Sequence, residues 1–402
     1  MTDERLSQRI VAVLQKTFPK RSGAVALHEP DFSGNEWNYV KECIDTGWVS
    51  SAGKYVDKFE KELAEFTGAP YAVAVVNGTA ALHISLLLAG VQAGHEVMIP
   101  SLTFVATANA VSYCGAVPHF AEVSPETLGL DAKLLDAYLR DITTVNANGD
   151  TINKKTNRVI SAIVPMHTFG HPADLDALAE VCERYKLTLI EDAAESLGSY
   201  YKNRHTGTYG LFGAFSFNGN KIITTGGGGA IVTADRELAL QAKHLTTTAK
   251  AAHRWAFWHD QIGYNYRMPN LNAALGCAQL ERLSGMISEK RKLAEAYRER
   301  FREVDEVRIQ TEPAHSASNY WLNALILKRP DSDERDRILG AAHEAGFLLR
   351  PIWTPMHKLP MYRSSPSMPL PLTEMLEKSV VNLPSGSDLM GELSEWGTER
   401  FA

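Results

Sequence analysis

RVISAIVPMHTFGHPADLDALAEVCERYKLTLIEDAAES, residues 158–196, shows the plan of the chain. Two apolar runs, RVISAIVP (158–165) and LTLIED (187–192), flank a helical segment, ADLDALAEVCERY (173–185). Neither run alternates with polar residues, so both read as strands buried on two faces, and a helix between such strands makes them parallel. The pattern extends outward. YAVAVV (71–76), EVMIP (96–100) and VPHFAEV (117–123) lie upstream; AFSFN (214–218) and AIVT (230–233) lie downstream. In YVDKFEKELAEFTG, Val56, Phe59, Leu63 and Phe66 share one helical face, and Gly68 stands at the C-cap. The expectation is an α/β domain of three layers with a mostly parallel sheet over residues 31–268, preceded by an N-terminal segment, 1–30.

Beyond Arg267 the character changes. Two long helical patterns, roughly 270–284 and 286–303, precede a strand (320–327), a helix from residue 333 and a strand, FLLRP. This reads as a smaller C-terminal α+β domain, 269–402. RPIWTPMHKLPMY (350–362) is proline-punctuated loop suited to a pocket wall. The polar stretch 146–157 reads as an exposed loop or hairpin without assigned function.

The 402 residues are 45% hydrophobic and 22% charged, a globular composition that excludes a disordered chain. The longest apolar stretches fall far short of the ~18 residues that span a membrane. MTDERLSQRIVAVLQK carries acids and does not read as a signal peptide. A net charge of −6 implies no general attraction to nucleic acid or membrane. Cys43, Cys114, Cys182 and Cys277 lie far apart without C-x-x-C spacing, which fits buried thiols in the cytoplasm and no metal site.

Three places carry potential chemistry. Asp192 follows an apolar strand, and in open parallel sheets ligands bind beyond the carboxyl ends of strands. Read alone, it is an exposed loop acid or a carboxylate that grips a cationic ring nitrogen. Lys221 precedes four glycines, Gly226 to Gly229. Neither a P-loop nor a dinucleotide fingerprint fits that spacing, and the glycines instead allow close backbone approach. Gly78 and Thr79 open a helix after YAVAVV; Thr79 is a plain N-cap or part of a phosphate site. Together, a phosphate site, an acid and a lysine at strand ends match the needs of pyridoxal 5′-phosphate. It requires a Schiff-base lysine, a carboxylate facing its pyridine nitrogen, and N–H and hydroxyl donors for its phosphate. Phe104 is placed to cover the ring.

EDAAES, SFNGNKIITTGGGG, NGTAALH, PSLTFVATANAV and GYNYRMPNLNAALGCAQLERL resemble motifs of the DegT/DnrJ/StrS family of nucleotide-sugar aminotransferases. The resemblance runs from about residue 28 to at least 362. It implies the aspartate-aminotransferase fold (fold type I), a seven-stranded sheet, and a homodimer with active sites at the subunit interface. It implies Lys221 as the Schiff-base lysine and proton shuttle, and Asp192 as partner of the pyridinium nitrogen. Glu195 stands where the family often has Gln or His, on the ring-hydroxyl side. Gly78, Thr79 and Ser216 would bind the phosphate, Asn265 would reach it from the other subunit, and Phe104 would stack on the ring. A lysine at 221, where dehydratase relatives carry histidine, implies amine transfer. TTGGGG replaces the commoner TTGEGG.

HLTTTAK, the segment from His259 and RPIWTPMHKLPMY are most similar to the subgroup that aminates C4 of UDP-2-acetamido-2,6-dideoxy-4-keto-hexose. The GDP-perosamine synthases, which use a GDP-4-keto-6-deoxymannose, share most of these motifs and are the alternative; a non-catalytic sensor or scaffold on the same fold is another. Sugar contacts implied by the resemblance are Trp48, Ser50, Ser51, His167, Arg267, Asn319, Trp321, Trp353 and His357.

Overall fold

The structure is a computed structural model and describes residues 5–19 and 23–392. Helix α1 (Leu6–Thr17) is followed by α2 (Glu36–Asp45) and α3 (Lys54–Thr67), which Gly68 ends at φ 72°. The chain then alternates: β1 (Tyr71–Val75), α4 (Gly78–Leu88), β2 (Glu96–Pro100), α5 (Val105–Tyr113), β3 (Val117–Ala121) and α6 (Ala132–Ile142). After a short ribbon, β4 (Thr143–Val145) and β5 (Thr151–Asn153), come β6 (Ile160–Ile163), α7 (Leu175–Tyr185) and β7 (Thr188–Asp192). A second short pair, β8 (Tyr200–Tyr201) and β9 (Arg204–His205), precedes β10 (Phe212–Ser216), β11 (Gly229–Thr233) and α8 (Arg236–Thr246).

The seven-stranded sheet has the order β1-β11-β10-β7-β6-β2-β3. All its neighbours pair in parallel except β11, which runs antiparallel to both β1 and β10. One face packs Val97, Ile99, Leu135, Leu178 and Val181 under the helices; the other packs Phe59, Leu63, Phe215, Ala274 and Leu283. Burial on both faces is why the strand sequences lack alternation.

The two helical patterns after residue 269 form one helix, α9 (Asn270–Arg300), which continues through Gly285. A Cβ at Gly285 would meet nothing, so this exposed glycine costs propensity alone, about 1 kcal/mol against Ala. The first half of α9 packs on α2 and α3, and its second half carries Leu293 and Tyr297 into a third core. That core also holds β12 (Val307–Ile309), β14 (Asn323–Leu327), α10 (Ser332–Glu344) and β16 (Val380–Leu383). Between them lie β13 (Ser316–Ala317), β15 (Arg350–Pro351) and α11 (Pro371–Glu377). The small sheet has the order β12-β14-β16-β15. Ile10, Leu14 and Phe18 enter the same core, so α1 packs against α10 and α9.

Stretch 146–157 does include a hairpin strand, but it is not wholly exposed. Asn153 is buried, and its amide donates to Glu96 Oε2 at 2.8 Å. His119 Nδ1 and the Thr156 hydroxyl meet the same carboxylate, so a buried charge is fully hydrogen-bonded there. All four cysteines are buried free thiols. Among the described residues no helix is long and apolar enough to cross a membrane, and no group of His, Cys, Asp and Glu could hold a metal ion.

Candidate active site

Because β1, β2, β6, β7 and β10 are parallel, their carboxyl ends share one side of the sheet. A cavity of about 370 Å³ lies there. Gly78, Thr79, Phe104, Asp192, Glu195, Ser216, Lys221, Trp321 and Trp353, all singled out in the sequence, line it together.

Helix α4 points its N-terminus at this cavity. Asn77 caps it, accepting from the Ala80 amide at 2.8 Å. Thr79 is therefore not the cap, and its hydroxyl makes no hydrogen bond among the described residues. A Cβ on Gly78 would sit 2.8 Å from the Ser216 Cβ, so the helix start lies against the end of β10. A Cβ on Gly229 would come within 2.4 Å of the Asn77 carbonyl carbon. That glycine thus serves close packing of β11 on the turn before α4. The amides at the start of α4 and the hydroxyls of Thr79 and Ser216 form an anion-binding corner.

Asp192 ends β7 and is 3% exposed. Its Oδ2 accepts from the Thr107 hydroxyl at 2.7 Å, and its Oδ1 from the Ala194 amide at 3.2 Å. Burial pushes this carboxyl up, while those two donors pull it back. Among the described residues it makes no ion pair. A cationic N–H arriving in the cavity would supply what a buried carboxylate otherwise lacks.

Glu195 is 2% exposed. Its Oε2 accepts from the Phe169 amide at 2.9 Å, and its Oε1 from Lys221 Nζ at 3.2 Å. Burial raises its pKa to about 7, against the opposing pull of Lys221 and the Phe169 amide. Phe169 holds a left-handed φ of 57°, and its ring packs on Trp353 at 5.2 Å. One oxygen of Glu195 thus fixes a strained turn and the other faces the lysine. Phe104, half exposed at the start of α5, borders the cavity mouth. A flat, phosphorylated, cationic heterocycle fits this set, which joins an anion corner, a buried carboxylate and an amine in one cavity.

Other expected contacts are not brought to the cavity. His167 is fully buried; its Nδ1 accepts from the Ala173 amide at 3.1 Å, which leaves Nε2 to donate to Glu191 at 3.0 Å. Its two nitrogens are used inside the protein. Asn319 is buried too. Its Nδ2 donates to the Glu195 and Leu197 carbonyls, both at 2.9 Å, and its Oδ1 accepts from the Trp321 amide. It braces the site instead of lining it. His357 Nδ1 meets the Ser101 hydroxyl at 2.7 Å, and neither residue lines the cavity. The Ser50 carbonyl accepts from the Asn270 amide and the Trp48 carbonyl from its side chain, so this segment seats the start of α9. Ser51 adjoins it. Asn265 and Arg267 are exposed on the segment that bridges to Thr247 and Val75, outside the cavity lining.

Sequence reasoning missed Asn77, Met166, Asn218 and Asn220, which also line the cavity, and Thr107. Thr107 lies three residues beyond Phe104 on α5, so helical spacing was the available signal.

The sequence profile of the DegT/DnrJ/EryC1/StrS aminotransferase family matches residues 30–395. GDP-perosamine synthase of Escherichia coli O157:H7 is 38% identical over 368 residues, 92% of this chain and 95% of that protein. GDP-perosamine synthase of Vibrio cholerae is 36% identical, over 90% and 94% of the two chains. Aminotransferase TlmJ from Streptoalloteichus hindustanus superposes with a TM-score of 0.81 at 29% identity, over 93% of this chain and 98% of that one. The chain belongs to the DegT/DnrJ/EryC1/StrS aminotransferase family and is a sugar aminotransferase that uses pyridoxal 5′-phosphate.

Proposed function

We propose that this member of the DegT/DnrJ/EryC1/StrS family moves an amino group from glutamate to C4 of a GDP-linked 4-keto-6-deoxy hexose, as a GDP-perosamine synthase-type enzyme. Glycan biosynthesis is the setting this reading implies. The observation that carries the chemistry is the meeting of Lys221, Asp192 and the α4 N-terminus in one cavity. The nucleotide is supported by the perosamine synthases, which align over nearly the whole chain. The sequence motifs favoured a UDP-linked 2-acetamido sugar, and that remains the second reading.

Pyridoxal 5′-phosphate, when bound, supplies the electron sink and carries the amino group between the two substrates. The start of α4, with Thr79 and Ser216, would hold its phosphate. Asp192, kept in place by Thr107, would face its ring nitrogen and keep it protonated. Phe104 would cover one face. Lys221 would anchor the group and, when free, would take and return a proton at Nζ. Glu195 Oε1 lies within reach to accept a proton from Nζ.

We also read the enzyme as a homodimer with shared sites: Asn265 and Arg267, exposed and away from their own cavity, would serve the partner's. Mixing Lys221→Ala with Asn265→Ala subunits should then restore part of the lost activity. The buried, unpaired thiols support a cytoplasmic setting.

The test is turnover with glutamate against a panel of GDP- and UDP-linked 4-keto-6-deoxy sugars. Preference for the GDP substrate supports the proposal. Preference for the UDP-2-acetamido sugar replaces it with the second reading, and no turnover with any sugar overturns both.

A further inference from the structure

Trp321 is more than a wall of the cavity. Lys221 Nζ lies 4.0 Å from the centroid of its indole, on the ring face. The ring is 4% exposed and pinned from several sides. Its Nε1–H donates to the Asn220 carbonyl at 2.7 Å, the peptide immediately before Lys221. Its backbone amide donates to Asn319 Oδ1 at 2.8 Å, and Asn319 in turn holds the Glu195 carbonyl at 2.9 Å. Its own carbonyl accepts from Nζ of Lys290 at 3.1 Å, a fully buried lysine on α9 that also donates to the Ser385 carbonyl.

Two residues that flank the amine are therefore tied to each other. Glu195 meets Nζ from one side and the indole from another, and Asn319 fixes the distance between their backbones. An aromatic face attracts a cation, and more so where water is excluded.

We propose that the indole face of Trp321 positions the Lys221 amine beside Glu195 whenever that amine is not bonded to the cofactor. Trp321 is then a positioning residue, acting through Lys221, and not only a sugar contact. A freed lysine has four rotatable bonds and would otherwise wander. Held on the ring, it stays within reach of the carbon it must re-attack. In reconstitution of the apoenzyme, Nζ would pass its extra proton to Glu195 Oε1, add to the aldehyde carbon and form the C=N bond as water leaves; in turnover the same attack would expel the product amine instead.

The inference rests on the family's use of pyridoxal 5′-phosphate, not on the identity of the sugar. It is tested without any sugar or glutamate, so its failure leaves the substrate proposal untouched. Apoenzyme is mixed with pyridoxal 5′-phosphate in a stopped-flow spectrometer. A concentration-dependent binding phase and a first-order imine-closing phase are then separated by absorbance. Trp321→Phe keeps a ring face and should close within about 3-fold of wild type; Trp321→Leu should close about 10-fold more slowly, with the binding phase unchanged. Closure by Trp321→Leu at the wild-type rate overturns the proposal, and so does Trp321→Phe slowing as much as Trp321→Leu. Should Trp321→Leu not fold, a crystal structure of the wild-type pyridoxamine phosphate form decides. Nζ on the indole face supports the proposal, and Nζ directed elsewhere overturns it.

Discussion

Lys221 Nζ donates to Glu195 Oε1 at 3.2 Å inside a cavity that Asp192, three residues before Glu195, enters from the end of β7. One short turn thus supplies two buried acids to the cavity. Their surroundings separate them: Asp192 is held by the Thr107 hydroxyl and the Ala194 amide, Glu195 by Lys221 and the Phe169 amide.

Glu195 gives a signed pH effect. Burial raises its pKa from 4.5 to about 7, so the folded protein binds this proton more tightly than the unfolded chain. The stability it contributes is present below about pH 4.5 and is lost as pH rises to about 7. Glu195→Gln should flatten that part of the profile. Thermal melts of the apoenzyme from pH 4.5 to 8 measure it; an unchanged slope would show that the carboxyl does not titrate there.

Thr107 is the support of Asp192. Thr107→Val removes the 2.7 Å bond and leaves the buried carboxylate with one donor. A hydrogen bond to a charged group contributes about 1.5–3 kcal/mol, so the glutamate half-reaction should slow about 10-fold or more. Asp192→Asn should slow it further. Single-turnover absorbance measures both, and a Thr107→Val enzyme as fast as wild type would remove this role.

Gly78→Ala places a methyl 2.8 Å from the Ser216 Cβ and 3.3 Å from the Phe215 carbonyl oxygen. The start of α4 must shift, and the anion corner shifts with it. Cofactor affinity should fall about 10-fold or more, since amide–phosphate geometry sets it. Equilibrium titration of the apoenzyme with pyridoxal 5′-phosphate reports the change.

Asn319 separates bracing from substrate contact. Asn319→Ala removes three buried hydrogen bonds and leaves the Trp321 amide unpaired, which should cost roughly 2–4 kcal/mol. The expected result is a lower Tm with a reduced kcat. A raised KM for the sugar nucleotide with unchanged Tm would instead make it a sugar contact.

The sheet was legible because each strand is a continuous apolar run bounded by turn residues. EVMIP became β2 residue for residue, and LTLIED gave β7 but for its first residue. Continuity of α9 was not legible, because a glycine's effect on a helix depends on what faces it, and Gly285 faces nothing. That Lys221, Asp192 and Gly78 line one cavity could be read because a strand end fixes where the next side chain goes. His167, Asn319 and His357 could not. Their polar atoms are taken up by Glu191, by backbone groups around residues 195–197, and by Ser101, partners remote in sequence. The cap at Asn77 was missed because Thr79, two residues later, is also a capping residue type.

The account depends on Lys221 being the residue that bonds the cofactor. Borohydride reduction of the holoenzyme, followed by peptide mass mapping, tests this most directly. The expected result is the reduced pyridoxyl phosphate mass on the peptide that contains Lys221. That mass on a peptide bearing another lysine, or on none, would contradict the account.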